Sequence, residues 1–247
     1  MGILFGGYVA VHLIVNATGF SPLTYQRNVD KIHDLEPMLP AIEIIAIFTP
    51  LLFHLVYGFY ISFAGVSYDT TTKYRYGGNV RYVLQRISAM ILVAFVLYHV
   101  LTLHKWGLGW FRGENQAYQS TVDSFSPFGS EIANLAMWAF YLLGIWAATF
   151  HFANGLWTAA IAWGLTTTAA AQKRWGYVCC AAGIALTLVG TAAWVAFTVA
   201  ARHDVSAAET FTRPPAPWEV RETTDIKTLR MPHTGPTTSK APAQNSP

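Results

Sequence analysis

Four histidines, His12, His54, His99 and His151, stand inside long apolar stretches, one in each of four successive stretches. An ionisable side chain inside lipid is costly, and its presence is a functional hypothesis by default. For any one of them a hydrogen-bonded structural role competes on equal terms. Four of them, one per stretch, are harder to explain that way. Neutral imidazole ligates transition metals, iron and zinc among them. Zinc usually takes three or four protein ligands at one centre, often with Cys or carboxylate among them. A proton relay would normally include intramembrane Asp or Glu, and here Glu43 and Glu131 lie only near the ends of apolar stretches.

The elements that must carry these histidines follow from composition. Of 247 residues, 53% are hydrophobic and 12% charged, against about a quarter charged in an ordinary soluble domain. The remaining charge sits at the edges of apolar runs, as expected of a chain solvated by lipid. A net charge of +3 with no basic, aromatic-interleaved patch gives no reason to expect nucleic acid. A bilayer core needs about 20 apolar helical residues, and five stretches approach that: 2–19, 41–65, 82–104, 132–164 and 176–201. The expected fold is therefore all-α and integral to the membrane, with a five-helix domain over 1–203. The first stretch has neither the basic start nor the A-x-A-like site of a cleavable signal peptide. A polar tail, 204–247, is punctuated by Pro214, Pro215, Pro217, Pro232, Pro236, Pro242 and Pro247; it is expected to be disordered or to lie along a partner.

Lys73, Arg75, Arg81 and Arg86, with Lys173 and Arg174, crowd one side of these spans. The other side holds Arg27, Lys31, Lys105 and Arg112, diluted by Asp30, Asp34, Glu36, Glu114 and Asp123. Positive charge favours the cytoplasm, so the N-terminus is expected there and the C-terminus outside. Trp106 and Trp110 at one face, with Trp163 and Trp175 at the other, suit interfacial belts and equally suit packing roles. Cys179 and Cys180 are adjacent on one helix and point apart, which suits small packing residues.

Helix rise converts position into depth. At about 1.5 Å per residue, His12 and His99 lie roughly 10 and 8 Å from the outer ends of their helices, and His54 and His151 roughly 16 and 20 Å from the inner ends. The four sort into an outer pair, His12 with His99, and an inner pair, His54 with His151. Each pair draws on two helices, so two imidazoles can approach a planar macrocycle from opposite faces, as in bis-histidine haem ligation. No C-x-x-C-H sequence offers the covalent attachment of a c-type haem, so a b-type haem held by the histidines is expected. The inner histidines share the pattern Phe-His-x-x-x-Gly, at 53–58 and 150–155. Gly58 and Gly155 fall one turn along the same face and remove a side chain where a porphyrin edge would approach; helix packing through small residues is the alternative. Arg86 at the inner face can pair with a haem propionate or help a quinone or partner-subunit site, or be an ordinary cytoplasmic-side arginine. Ser88 is a weaker candidate nearby. His33, His104, His203 and His233 are expected at surfaces or interfaces.

The strings VHLIVN (11–16), FHLVYGFYI (53–61), LQRISAMILVAFVLYHV (84–100) and FHFANGLWT (150–158) resemble the di-haem cytochrome b anchor of bacterial succinate:quinone oxidoreductases, in its single-polypeptide, five-helix form. The resemblance covers about 8–165, the fifth span only in general character, and the tail not at all. It implies an anchor for a flavoprotein and an iron–sulfur subunit on the cytoplasmic face of the bacterial inner membrane. Electrons from succinate would reach the inner haem at His54 and His151, then the outer haem at His12 and His99, and then a quinone, usually menaquinone. Fumarate reduction uses the same architecture in reverse, and the dicarboxylate chemistry resides in the partners, so no catalytic acid or base is expected in this chain. Four helices giving one histidine each differ from the cytochrome b of bc complexes, where two helices give two each. Two departures stand out. The short basic Arg-x-x-His-Ser-like element usual before the first helix does not precede this one, which implies a start further upstream or an unusual inner end of that helix. A glutamate that some fumarate reductases carry two residues before the fourth ligand is Thr149 here, so its proton route is not supported.

Overall fold

The computed structural model describes residues 2–64, 77–105, 107, 109, 112–113 and 116–212, with backbone alone at 77–78 and 204–212. The described residues contain helices and no strand. Five helices are long and apolar enough to cross a bilayer, and the protein is a multi-pass membrane protein: α1 (Gly2–Ala17, extended by a 3₁₀ turn to Phe20), α3 (Leu39–Ala64), α4 (Gly77–Leu103), α6 (Glu131–Ala162) and α7 (Ala169–His203). All five expected spans are present, with ends displaced by a few residues where polar flanks continue the helix. The backbone of the last helix stays helical to Thr212. Met1–Ser206 form one compact unit, and Ala207–Pro247 a second. Residues 204–212, expected in the polar tail, thus continue the last helix, while 213–247 lie outside the described residues, as do Lys73, Arg75, Trp106, Trp110, Glu114 and His233.

Two shorter helices lie where loops were expected. Helix α2 (Pro22–His33) begins with Ser21 as N-cap, whose side chain accepts from the Thr24 N–H, and has Pro22 in the first turn, both standard start signals. Helix α5 (Ala117–Phe125) is buried along one side through Ser120, Thr121, Val122, Ser124 and Phe125. Chain order puts both at the end of the bundle opposite the start of α1, because they join α1 to α3 and α4 to α6. There they build a cap. Tyr25, Val122, Phe125, Trp138, Tyr141, Phe197 and Ala201 form its buried core. Trp138 Nε1 donates to the Phe125 carbonyl at 2.8 Å, and Tyr25 Oη and Thr121 Oγ1 share a hydrogen bond at 3.1 Å. Ion pairs Arg112–Asp123 and Arg202–Glu131 flank the cap.

Elsewhere the spans present apolar side chains outward, among them Ile45, Val56, Phe63, Leu97, Ile184 and Leu188, as lipid solvation requires. Helix α6 is the central one: 39% of its most apolar window is buried, against 11% in α3 and α4. It starts on Ser130, whose Oγ accepts from the Ala133 N–H. It ends at Gly164, whose φ of 71° permits the left-handed turn in which the Leu165 N–H reaches the Ala160 carbonyl. Helices α6 and α7 are fastened by polar groups. Thr149 and Thr187 hydroxyls meet at 2.8 Å, Trp146 Nε1 donates to Thr191 Oγ1 at 3.1 Å, and Trp194 Nε1 donates to the Trp138 carbonyl at 2.8 Å.

Candidate functional site

The four intramembrane histidines meet as two separate pairs. His12 of α1 faces His99 of α4 with ring centroids 5.7 Å apart and planes at 85°. His54 of α3 faces His151 of α6 at 6.0 Å and 86°. Each pair joins two helices, and the pairs divide the four helices without overlap. Two imidazoles on opposite sides of one metal, with metal–nitrogen bonds near 2 Å, would have centroids about 6 Å apart. Both separations fit that value. Among the described residues, no three His, Cys, Asp or Glu side chains converge on one point, so each pair could offer a metal two imidazoles.

The two pairs are held differently. His151 Nδ1 lies 3.3 Å from the Gln85 carbonyl oxygen and 3.2 Å from Ser88 Oγ, while Ser88 Oγ donates to the same carbonyl at 3.0 Å. The Gln85 side chain spans the helix gap. Its Nε2 donates to the His151 carbonyl at 3.1 Å, and its Oε1 accepts from Asn154 Nδ2 at 2.8 Å. At the other pair, His99 Nδ1 is buried with no hydrogen-bond partner. Aromatic rings hold it instead: Phe95 stacks at 5.6 Å and 24°, and Tyr141 meets it at 6.1 Å. Tyr8 stacks on His12 at 5.6 Å. Gly144 admits Phe95, since a Cβ there would lie 2.4 Å from its ring.

The remaining expected residues divide. Around Gly58, one turn from His54, nothing lies within 4 Å of a would-be Cβ, so that face is open, as a porphyrin edge would need. A Cβ at Gly155 would meet Gln85 Nε2 at 3.4 Å, so its missing side chain also makes room for the Gln85 bridge. Arg86 lies over the Tyr82 ring at 4.3 Å, and its Nη2 is buried without a hydrogen-bond partner. Ser88 is buried and sits on His151. Thr149 turns to α7. Gln85, Asn154, Phe95, Tyr141 and Gly144 escaped the sequence reading; the legible signals were an amide beside Arg86 inside an apolar run and another three residues after His151.

His104 is half-buried at the end of its span: its ring meets Phe48 at 5.2 Å, and its Nε2 lies 3.8 Å from Glu43 Oε2. A π-helical segment, Glu43–Phe48, carries the carboxylate there. Trp175 is committed to packing, donating to the Leu156 carbonyl at 3.3 Å, whereas Trp163 is exposed at the end of α6. His33 is half-buried on the Val29 carbonyl, and His203 is exposed.

Fold and site together define a helical multi-span membrane protein with histidines paired across helices. The family of succinate dehydrogenase/fumarate reductase transmembrane subunits matches residues 70–190. The succinate dehydrogenase cytochrome b558 subunit of Bacillus subtilis (strain 168) is 32% identical over 192 residues, spanning 78% of this chain and 89% of that protein. No solved structure gives a significant match. The chain belongs to the family of succinate dehydrogenase/fumarate reductase transmembrane subunits.

Proposed function

We propose that this chain is the cytochrome b membrane anchor of a succinate:quinone oxidoreductase, with two b-type haem sites. The carrying observation is the pair of His–His contacts, at 5.7 and 6.0 Å, each between two different helices. His54 and His151 would hold the inner haem, and His12 and His99 the outer one. Bound there, haem supplies one-electron iron chemistry, which links an iron–sulfur donor to a quinone. The chain's own residues supply position and dryness. Gly58 leaves the His54 face open, and the unpartnered buried Nη2 of Arg86 suits a carboxylate such as a propionate. Phe95, Tyr141 and Tyr8 keep water from the outer pair.

The name of the Bacillus subtilis relative supports the cytochrome reading. Family membership supports a flavoprotein and an iron–sulfur partner, and the positive loops support the cytoplasmic side, where α1 begins, as the place they dock. Menaquinone is the proposed acceptor, and the bacterial inner membrane the proposed location. A dithionite-reduced minus oxidised spectrum of the purified complex, with a redox titration, tests the reading. Two low-spin b-type components are expected, and His54→Ala and His151→Ala should each remove one and the same component. Absence of any b-type signal, or a signal unchanged in both variants, would sink it.

A further inference from the structure

The hydrogen bonds around His151 fix more than its position. A carbonyl oxygen can only accept, and the Gln85 carbonyl lies 3.3 Å from His151 Nδ1; that nitrogen must therefore carry the proton. Ser88 Oγ spends its own hydrogen on the same carbonyl at 3.0 Å, so towards Nδ1, 3.2 Å away, it also acts as acceptor. Two acceptors on Nδ1 leave Nε2 with its lone pair free, and that is the tautomer a metal ligand needs. The Gln85 carboxamide ties the same stretch of α4 to α6 at the histidine's own carbonyl and, three residues further on, at Asn154 Nδ2. His99 has no such partner on Nδ1.

From this geometry we infer that Gln85 and Ser88 are positioning residues for the inner haem. They select the ligating tautomer of His151, fix its ring plane and raise the basicity of its Nε2. The inference rests on the proposed function, in which His54 and His151 are haem ligands. A more basic ligand favours the ferric state, so loss of these acceptors raises the midpoint potential of the inner haem. The Ser88 hydroxyl can be deleted without touching the Gln85 backbone carbonyl, and the Gln85 amide without touching Ser88.

The test uses the assembled complex in membranes, with Ser88→Ala, Gln85→Glu, Ser88→Thr and His151→Ala. Low-temperature electron paramagnetic resonance reports the ring geometry at each haem, and a redox titration reports each potential. Ser88→Ala should retain both haems, shift the inner g values and raise the inner potential, with the outer haem unchanged. Ser88→Thr, which keeps the hydroxyl, should restore the wild-type inner signal. Gln85→Glu, nearly isosteric, loses the Nε2 donor and should shift the inner signal alone. Full retention of the inner g values and potential in both Ser88→Ala and Gln85→Glu overturns the inference, as does an equal shift at both haems. If His151→Ala keeps both haem signals intact, the ligand assignment itself has failed, a separate result.

Discussion

The inner and outer histidine pairs solve one geometric problem by opposite means. At the inner pair, polar groups do the holding: a backbone carbonyl, a serine hydroxyl and a glutamine bridge surround His151. At the outer pair, rings do it, with Phe95 and Tyr141 against His99 and Tyr8 against His12. The surroundings explain the difference. The outer pair stands beneath a cap with its own apolar core, so aromatic side chains have something to pack on. The inner pair lies towards the opposite end, where directional bonds between α4 and α6 hold His151.

The comparison breaks most sharply at the four paired histidines. His99→Ala should abolish the outer low-spin component and leave the inner one, whereas His54→Ala should do the reverse; a redox titration with two resolved components reads both. Loss of both components in either variant would mean that the pairs are not independent. Next in size is the cap. Phe197 is almost fully buried, at 1% exposure, against Tyr25, Tyr118 and Phe125. Its truncation to alanine should cost about 3–5 kcal/mol. Thermal denaturation in detergent, followed at each haem band, should then show the outer component bleaching first.

Glycines sharpen the contrast further. Gly144→Val would drive a side chain into the Phe95 ring, where even a Cβ lies at 2.4 Å. Overpacking of this kind costs about 1–3 kcal/mol, and it should broaden the outer signal. A Cβ at Gly58 meets no neighbour within 4 Å, so Gly58→Leu should fold normally, yet lower haem occupancy at the inner site, as measured by pyridine haemochrome content per protein. The smallest effect concerns pH. Burial pushes the Tyr25 phenol up, with the Thr121 hydrogen bond pulling weakly the other way. Its neutral form is the stable one in the folded cap. The associated stability is therefore complete below the ordinary phenol value of about 10 and lost as pH climbs through the raised value. Tyr25→Phe should flatten that alkaline limb in a series of Tm measurements against pH.

The pairing of histidines was legible in the sequence because depth along a helix is set by a constant rise, and direction alternates from span to span. Which helices touch, and at what register, is not set that way. Gln85 and His151 meet only because α4 and α6 align 85 with 151, and no periodicity within either helix states that alignment. The cap was hidden for another reason. Helices α2 and α5 are short and rich in Gln, Ser, Thr and Asp, so a search for long apolar runs passes over them, although Ser21-Pro22 is a readable start signal. Gly155 shows a third limit: its position one turn after His151 was legible, but the Gln85 amide beside it was not.

The fastening of α6 to α7 bears on how such a chain is made. None of the side-chain bonds at Thr149, Trp146, Trp194 and Trp175 draws on a histidine. Once synthesised and inserted, this hairpin can close by itself, each bond contributing on the order of 1 kcal/mol in lipid. On the proposed reading, this side of the bundle therefore holds together whether or not haem is bound, since no bond there runs through a histidine.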